Sequence, residues 1–507
     1  MNVELMDLRT KVGQLFTFSA FGPTLDADTR RMITELKAGG LFLPTGGLQE
    51  PEQVHRLTKE MQQTSLENGS GLPLFITADF VAGAGCKLRS GAVHFPKNRA
   101  IGAGGDERLA YESGKITAEE SLAMGVNFNY SPVVDINNNP HNPVIGMHSF
   151  GEDKETVSTL ANAVIRGYQE HGMIATAKHF PGHGDTSVDS HEDLPVLPFD
   201  RERLDSFELV PFKEAISAGV DAIMVGHIAV PALDPTLTPA SLSYELVTKL
   251  LREELQFKGL IVTDGLSMKG VMNKYSMEEA CVLSLLAGTD ILLATTSSYE
   301  ESASVLEAVI AAVESGRISE ARIDESVKRI MEMKKKYGLL PEAFQQLGYN
   351  ESNFNKPSSI EADKALAWSA ATPINGLTEG ALSQHGGQKW LVLYDKGSSG
   401  FAEAILRMEG MQGQETDTYE GLLQLVADAP AGSNIIMASS HNKRIDTSYL
   451  KQLDEKLALF ENAVWVHFGS KYDMDHVSAK GLLLYDRAPS LQAAAVNYLI
   501  GSNGGEQ

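Results

Sequence analysis

The segment Lys178-His179-Phe180-Pro181-Gly182-His183-Gly184-Asp185-Thr186-Ser187-Val188-Asp189-Ser190-His191 packs three histidines, two aspartates and a lysine into 14 residues. Its glycines and proline favour a loop over a helix. Three uses of such a loop compete. His179, His183 and His191 could hold a metal ion, although their spacing matches no common ligand motif such as H-E-x-x-H. The side chains could serve only to hydrogen-bond the loop to itself. Or the loop moves protons. Asp189 and His191 are two residues apart, so the carboxylate can orient the imidazole and support its cationic form. An imidazole held this way exchanges protons near neutral pH.

A second candidate is the run Gly259-Leu260-Ile261-Val262-Thr263-Asp264-Gly265. An apolar strand would deliver Asp264 to its end, and Gly265 lets the backbone turn. A carboxylate in that place can attack a sugar carbon and form a covalent intermediate. It can equally cap a following helix. The pairs Ala78-Asp79, Val134-Asp135, Lys178-His179, Gly226-His227 and Thr263-Asp264 all end apolar runs in a polar side chain. Other glycine-rich stretches fit no nucleotide or phosphate loop. Gly265-Leu266-Ser267-Met268-Lys269 misses the nucleophile-elbow pattern because its last position is not glycine.

Elements that could hold these residues are visible in the pattern. Eight short apolar runs alternate with amphipathic stretches up to about residue 340: 13–18, 40–44, 73–79, 127–135, 174–179, 222–227, 259–264 and 290–294. Most are apolar on both faces, as buried parallel strands are. Eight β–α units predict an α/β fold with a (β/α)8 TIM-like barrel, whose active site lies at the C-terminal ends of its strands. A doubly wound open sheet is the rival. The charged stretch 322–338 predicts a solvated helix closing the barrel. We expect a catalytic barrel over 1–344, a polar linker over 345–372, and a small C-terminal α/β sandwich over 373–507. Strands at 389–394, 434–438 and 463–468 are predicted for that last domain.

Composition narrows the function. A chain of 507 residues exceeds one ordinary domain of ~100–200 residues. A hydrophobic share of 43% excludes disorder as the main state. Lys plus Arg number 43 against 66 Asp plus Glu, a formal charge of −23. Such a surface repels phosphate backbones and anionic lipid, so neither nucleic acid nor a membrane is an expected partner. The two cysteines, Cys86 and Cys281, support neither a disulfide framework nor a thiolate metal site. With no leader pattern or apolar span, a cytoplasmic location is expected.

Taken together, these motifs resemble glycoside hydrolase family 3, and within it the bacterial β-N-acetylglucosaminidase (β-hexosaminidase) branch. The Lys178–His191 segment with Leu194-Pro195 is similar to that branch's hallmark loop. Gly125-Val126-Asn127-Phe128-Asn129 with Ser131-Pro132-Val133-Val134-Asp135 resembles the fourth-strand signature. Further likeness comes from Asn142-Pro143-Val144-Ile145-Gly146 with Ser149-Phe150-Gly151, and from Met224 with His227. The resemblance implies a retaining exo-β-glycosidase that acts on peptidoglycan- or chitin-derived sugars, with no metal or organic cofactor. It implies Asp264 as nucleophile and the Asp189–His191 dyad as general acid/base. It also implies that Asp79, Lys178, His179, His148 and Met224 bind the substrate.

Two stretches depart from the family pattern. Asp79 is followed by Phe80-Val81-Ala82-Gly83-Ala84-Gly85-Cys86-Lys87, where the family carries an acid, paired glycines and Arg. His148 stands before Ser149-Phe150-Gly151, where an Arg is usual. A re-tuned glycone pocket, phosphorolysis, and a non-catalytic sugar-binding protein on the same barrel are therefore the alternatives. Neither the aglycone nor the oligomeric state follows from the sequence.

Overall fold

The computed structural model describes residues 3–341, 348–383, 388–441 and 444–501. The chain divides into two compact units. The first comprises Met1–Val93, Ala110–Val144 and Glu152–Lys356, and the second comprises His94–Leu109, Ile145–Gly151 and Pro357–Gln507. The division falls inside the stretch expected as a linker. Much of that stretch is the helix Pro357–Ala370, which buries Leu366, Ala367 and Ala370. Proline at a first helical position lacks only an N–H that would have no partner there.

In the first unit, strands β1 (Phe16–Ser19), β2 (Gly40–Phe42), β3 (Phe75–Ala78), β4 (Phe128–Asn129), β5 (Thr176–Phe180), β6 (Ala222–Val225), β7 (Leu260–Thr263) and β8 (Leu292–Ala294) occupy the eight expected places. They form two parallel sheets, ordered β4-β3-β2-β1-β8 and β5-β6-β7. Single parallel bridges, Phe128 to Ile174 and Val262 to Ile291, continue the pairing from one sheet to the other. Every residue of β3, β6 and β7 is buried, which explains their continuous apolar runs.

Each strand is shorter than its apolar run, and in two the residues show why. Gly13 belongs to the helix Leu8–Gln14, which starts where the Asp7 carboxylate accepts from Thr10 N–H. The ladder of β4 stops at Asn129, and Pro132 just beyond has no N–H to extend it. The charged helix Glu320–Lys336 is solvated on one face only; Ile323, Val327 and Ile330 are buried on the other.

The second unit holds one six-stranded sheet. Its strands are β9 (Thr372–Ile374), β10 (Trp390–Asp395), β11 (Met411–Thr416), β12 (Asn434–Ser440), β13 (Ala463–Phe468) and β14 (Gly481–Leu483). The order is β11-β10-β12-β13-β14-β9, with only β9 antiparallel. The three expected strands are β10, β12 and β13. Of the other three, β11 and β9 lack an apolar run, whereas β14 overlaps the short run Leu482-Leu483-Leu484, which is not among the expected strands. β11 is a polar, largely exposed edge strand, β14 is three residues long, and β9 contains Pro373 at the opposite edge. Trp465, Phe401 and Phe468 fill this unit's core.

Candidate active site

The parallel strands of the first unit carry most of the candidate side chains at their C-terminal ends. Asp79 follows β3, Lys178 and His179 lie in β5, Met224 lies in β6, and Asp264 follows β7. Asp264 is half-buried. Its backbone N–H donates to the Val225 carbonyl at 3.0 Å, and the Gly265 N–H donates to its Oδ1 at 2.7 Å. Burial pushes its carboxyl up. The His179 and His227 rings, the Gly265 amide and the Lys178 ammonium outweigh that, so it is held below the usual aspartate range. The group is therefore an anion at neutral pH, with Oδ2 left for other partners.

His227 supports Asp264 from below. It is fully buried, and its Nε2 donates to the Gly265 carbonyl at 2.9 Å while Nδ1 accepts from Ser241 Oγ at 2.7 Å. A carbonyl only accepts, which fixes this tautomer. Burial lowers the ring's pKa, so His227 is a neutral brace for the turn after Asp264.

A second cluster lies on β3 and β5. Lys178 Nζ donates to Asp79 Oδ1 at 2.6 Å, and Lys87 Nζ is 4.0 Å from Asp79 Oδ2. The Asp135 side chain is completely buried and takes hydrogen bonds from His179 Nδ1 at 2.8 Å, His179 N–H at 3.2 Å and His183 N–H at 2.7 Å. The His179 ring therefore has Nδ1 tied down and Nε2 available. Met224 is buried on β6, in register between Lys178 of β5 and Val262 of β7.

The histidine-rich loop resolves into two kinds of residue. His183 is buried, its Nδ1 bonded to Thr186 Oγ1 at 2.7 Å and its Nε2 to Ser190 Oγ at 3.0 Å. Burial lowers its pKa, and both nitrogens are used in holding the loop together. His191 is different. Its Nδ1 donates to Asp189 Oδ1 at 2.8 Å, and its side chain is 62% exposed, so Nε2 faces outward. The Asp189 carboxyl is held below its ordinary value. Burial opposes this, and the N–H and ring of His191 prevail. Gly184 fits the loop against the preceding segment, since a Cβ there would sit 1.8 Å from the Ile136 carbonyl oxygen. The loop is tied to the segment after Asp264, where Gly270 N–H donates to the Ser190 carbonyl at 3.1 Å.

His148 belongs to the second unit, on the short helix Gly146–His148, where Asn98 Nδ2 donates to its carbonyl at 2.8 Å. Asp135 and His227 are the two residues that the sequence-based site omitted. Both stand at strand-end positions flagged by the pattern, and only the hydrogen bonds reveal what they support. Among the described residues no three His, Cys, Asp or Glu side chains converge as metal ligands. No helix among them is long and apolar enough to cross a membrane.

Comparison with known proteins points the same way. Residues 7–333 match the family described as Glycosyl hydrolase family 3 N terminal domain. Beta-hexosaminidase A of Pseudoalteromonas piscicida is 32% identical over 374 residues, 69% of this chain and 62% of that protein. A Beta-N-acetylglucosaminidase/beta-glucosidase of Cellulomonas fimi is 31% identical over 339 residues, 65% of this chain and 57% of the relative. The chain thus spans less than two thirds of either relative's length. The structure of a glycoside hydrolase family 3 beta-N-acetylglucosaminidase from Paenibacillus sp. str. FPU-7 is 33% identical. It superposes with a TM-score of 0.88, over 98% of this chain and 97% of that one.

Proposed function

The chain belongs to glycosyl hydrolase family 3, and from that premise we propose that it is a retaining exo-β-N-acetylglucosaminidase acting on peptidoglycan- or chitin-derived saccharides. The observation that carries the proposal is the Asp189–His191 pair. An imidazole with Nδ1 fixed on a carboxylate and Nε2 outward sits on a loop bonded to the segment that follows Asp264.

The mechanism has two displacements. Asp264 attacks the anomeric carbon of a β-glycoside through its unoccupied oxygen. Protonated His191 gives its Nε2 proton to the leaving oxygen, and the electron pair of the broken bond leaves with the aglycone. A covalent α-glycosyl ester remains. Neutral His191 then takes a proton from water, which displaces Asp264 and restores the β configuration. Asp189 holds the ring in the tautomer that leaves Nε2 for chemistry. Asp79, Lys178 and His179 receive the sugar hydroxyls, with Met224 completing the substrate contacts within this unit. In this reading the two sheets of the first unit are the two parts of a (β/α)8 barrel, joined at the bridges from Phe128 and Val262.

The test is release of p-nitrophenol from a panel of β-N-acetylglucosaminide, β-glucoside, β-xyloside and α-N-acetylglucosaminide, each with and without phosphate. Release from the first, with a β-configured product, is expected. Release from a different β-glycoside would mean that Phe80–Lys87 reshape the glycone pocket. Acceleration by phosphate with a sugar phosphate product would replace hydrolysis by phosphorolysis. Failure with every substrate would leave sugar binding without catalysis.

A further inference from the structure

The motif Asn142-Pro143-Val144-Ile145-Gly146 has no part in the steps above. Its first residue is fixed by its own turn. Val144 N–H donates to Asn142 Oδ1 at 3.0 Å, and Asn142 N–H donates to the Asn139 carbonyl at 3.1 Å. With Oδ1 held, the amide nitrogen is aimed at the histidine-rich loop. Nδ2 donates to the His183 carbonyl at 2.8 Å and to the Gly184 carbonyl at 3.1 Å, with Thr186 Oγ1 at 3.4 Å beside them. An irregular loop has no ladder to satisfy its carbonyls, so a side-chain amide takes that place.

Neighbouring side chains hold the same stretch. Asn138 Nδ2 donates to Asp185 Oδ2 at 2.8 Å, and Asn139 Nδ2 donates to Ser187 Oγ at 3.3 Å. Arg203 meets the same Asp185 oxygen at 3.4 Å, with its guanidinium against the rings of Phe199 and Phe207. These contacts pin the stem of the loop, residues 183–187. Asn142 grips that stem by its backbone, at the point where Gly184 is seated against Ile136. The His183 ring passes the constraint on. It bonds Thr186 Oγ1 on one side and Ser190 Oγ on the other, and Ser190 precedes His191 in the chain. Asn142 therefore sets the place of the stem from which Asp189 and His191 project.

Resting on the function proposed above, we infer that Asn142 is a positioning residue for proton transfer, fixing the loop stem so that His191 Nε2 meets the leaving oxygen. A residue that serves only the acid matters in proportion to the acid help a leaving group needs. The experiment compares kcat/KM, which counts the steps up to the glycosyl-enzyme, for N,N′-diacetylchitobiose and for 2,4-dinitrophenyl β-N-acetylglucosaminide. The ratio of the two is independent of how much of the protein is folded. Asn142→Asp keeps an acceptor for Val144 N–H and removes the donor to the loop; Asn142→Ala removes both. Either variant should lose about 10–100-fold on the disaccharide and less than about twofold on the dinitrophenyl glycoside, as expected when a proton donor is misplaced rather than deleted. In a His191→Ala background the same substitutions should cost nothing further on the disaccharide. Equal losses on the two substrates, no loss on either, or an added loss in the His191→Ala background would overturn the inference and leave the glycosidase standing. Absence of release from p-nitrophenyl β-N-acetylglucosaminide by the unaltered protein would instead overturn the glycosidase reading, and this inference with it.

Discussion

In the first unit, residues at the ends of parallel strands include Asp79, His179 and Asp264; in the second, β10, β12 and β13 end around Asp395, Ser439-Ser440 and His467. The residue types are nearly the same, and the second unit even assembles a serine, a histidine and an aspartate in series. Ser439 Oγ donates to His467 Nδ1 at 2.8 Å, and His467 Nε2 donates to Asp473 Oδ2 at 3.2 Å. Yet Trp465 Nε1 also donates to Ser439 Oγ at 2.7 Å, Ile445 N–H occupies Asp473 Oδ1, and all three residues are almost wholly buried. The ring is turned the wrong way for an acyl-transfer triad, in which serine meets Nε2.

The gap between β10 and β12 is the switch point of this open sheet, the place where such folds bind ligands. Here Asp395 closes it by accepting four hydrogen bonds from the backbone and side chains of Ser398 and Ser440. The difference between the units lies in what is left over. Among the described residues, Asp264, His179 and His191 each keep an unused lone pair or proton, whereas Asp395, Ser439, His467 and Asp473 use theirs on one another and on their neighbours. A strand-end aspartate or histidine signals chemistry only when its hydrogen-bonding capacity is unfilled and reachable.

The strongest attempt to break this comparison is Asp264→Asn against Ser439→Ala. The first should lower kcat/KM by on the order of 10⁴-fold or more with every leaving group, as loss of a nucleophile does. The second should leave kcat/KM within about twofold, since a buried, satisfied hydroxyl makes no contact with a reacting atom. Equal losses in steady-state assays would end the distinction between the two sets of strand ends. His191→Ala sharpens it within the first unit. Loss of the proton donor should slow cleavage of an unactivated disaccharide by about 10²–10⁴-fold. A dinitrophenyl leaving group needs little protonation, so its release in the first step should be nearly spared. Burst kinetics would expose a glycosyl-enzyme waiting for the missing base.

In the first unit, the eight strands were legible as apolar runs because both faces are buried, and their polar terminators marked Asp79, Lys178-His179 and Asp264. In the second unit the long central strands were legible, while the three-residue interior strand β14 was missed. Edge strands β11 and β9 carry polar residues or proline, and nothing in their periodicity distinguishes them from loops. The site itself was legible in type but not in division of labour. His183 and His191 look alike in sequence, eight residues apart on one loop. Only burial and the Thr186 and Ser190 partners make the first a brace, and only exposure leaves the second free to exchange protons. Asp135 was hidden for a similar reason, because its work is done through His179 and His183.

In the second unit a cut should appear as lost stability rather than lost turnover. Asp473→Ala leaves the His467 Nε2–H and the Ile445 N–H buried without an acceptor. Each such group costs about 1–3 kcal/mol. The urea midpoint should fall accordingly, with kcat/KM of the remaining folded enzyme unchanged. A fall in activity without a fall in stability would make the buried series more than a structural pin.

The smallest effect tests the loop through pH. The His191 N–H and ring depress the Asp189 carboxyl against the opposing pull of burial, so the folded value lies below the unfolded one. As pH falls, the unfolded chain therefore binds this proton first. The stabilisation is fully present above the ordinary aspartate value and is lost as pH drops through the depressed folded value. Asp189→Asn removes it. The stability difference between wild type and variant should be present at about pH 5 and should shrink below about pH 4. Because the pair is open to solvent, a few tenths of a kcal/mol is the expected size. Denaturant titrations at several pH values would resolve its sign. A difference that failed to shrink below about pH 4 would mean that Asp189 is not the anionic partner of His191, and the proton-transfer role of the loop would lose its electrostatic support.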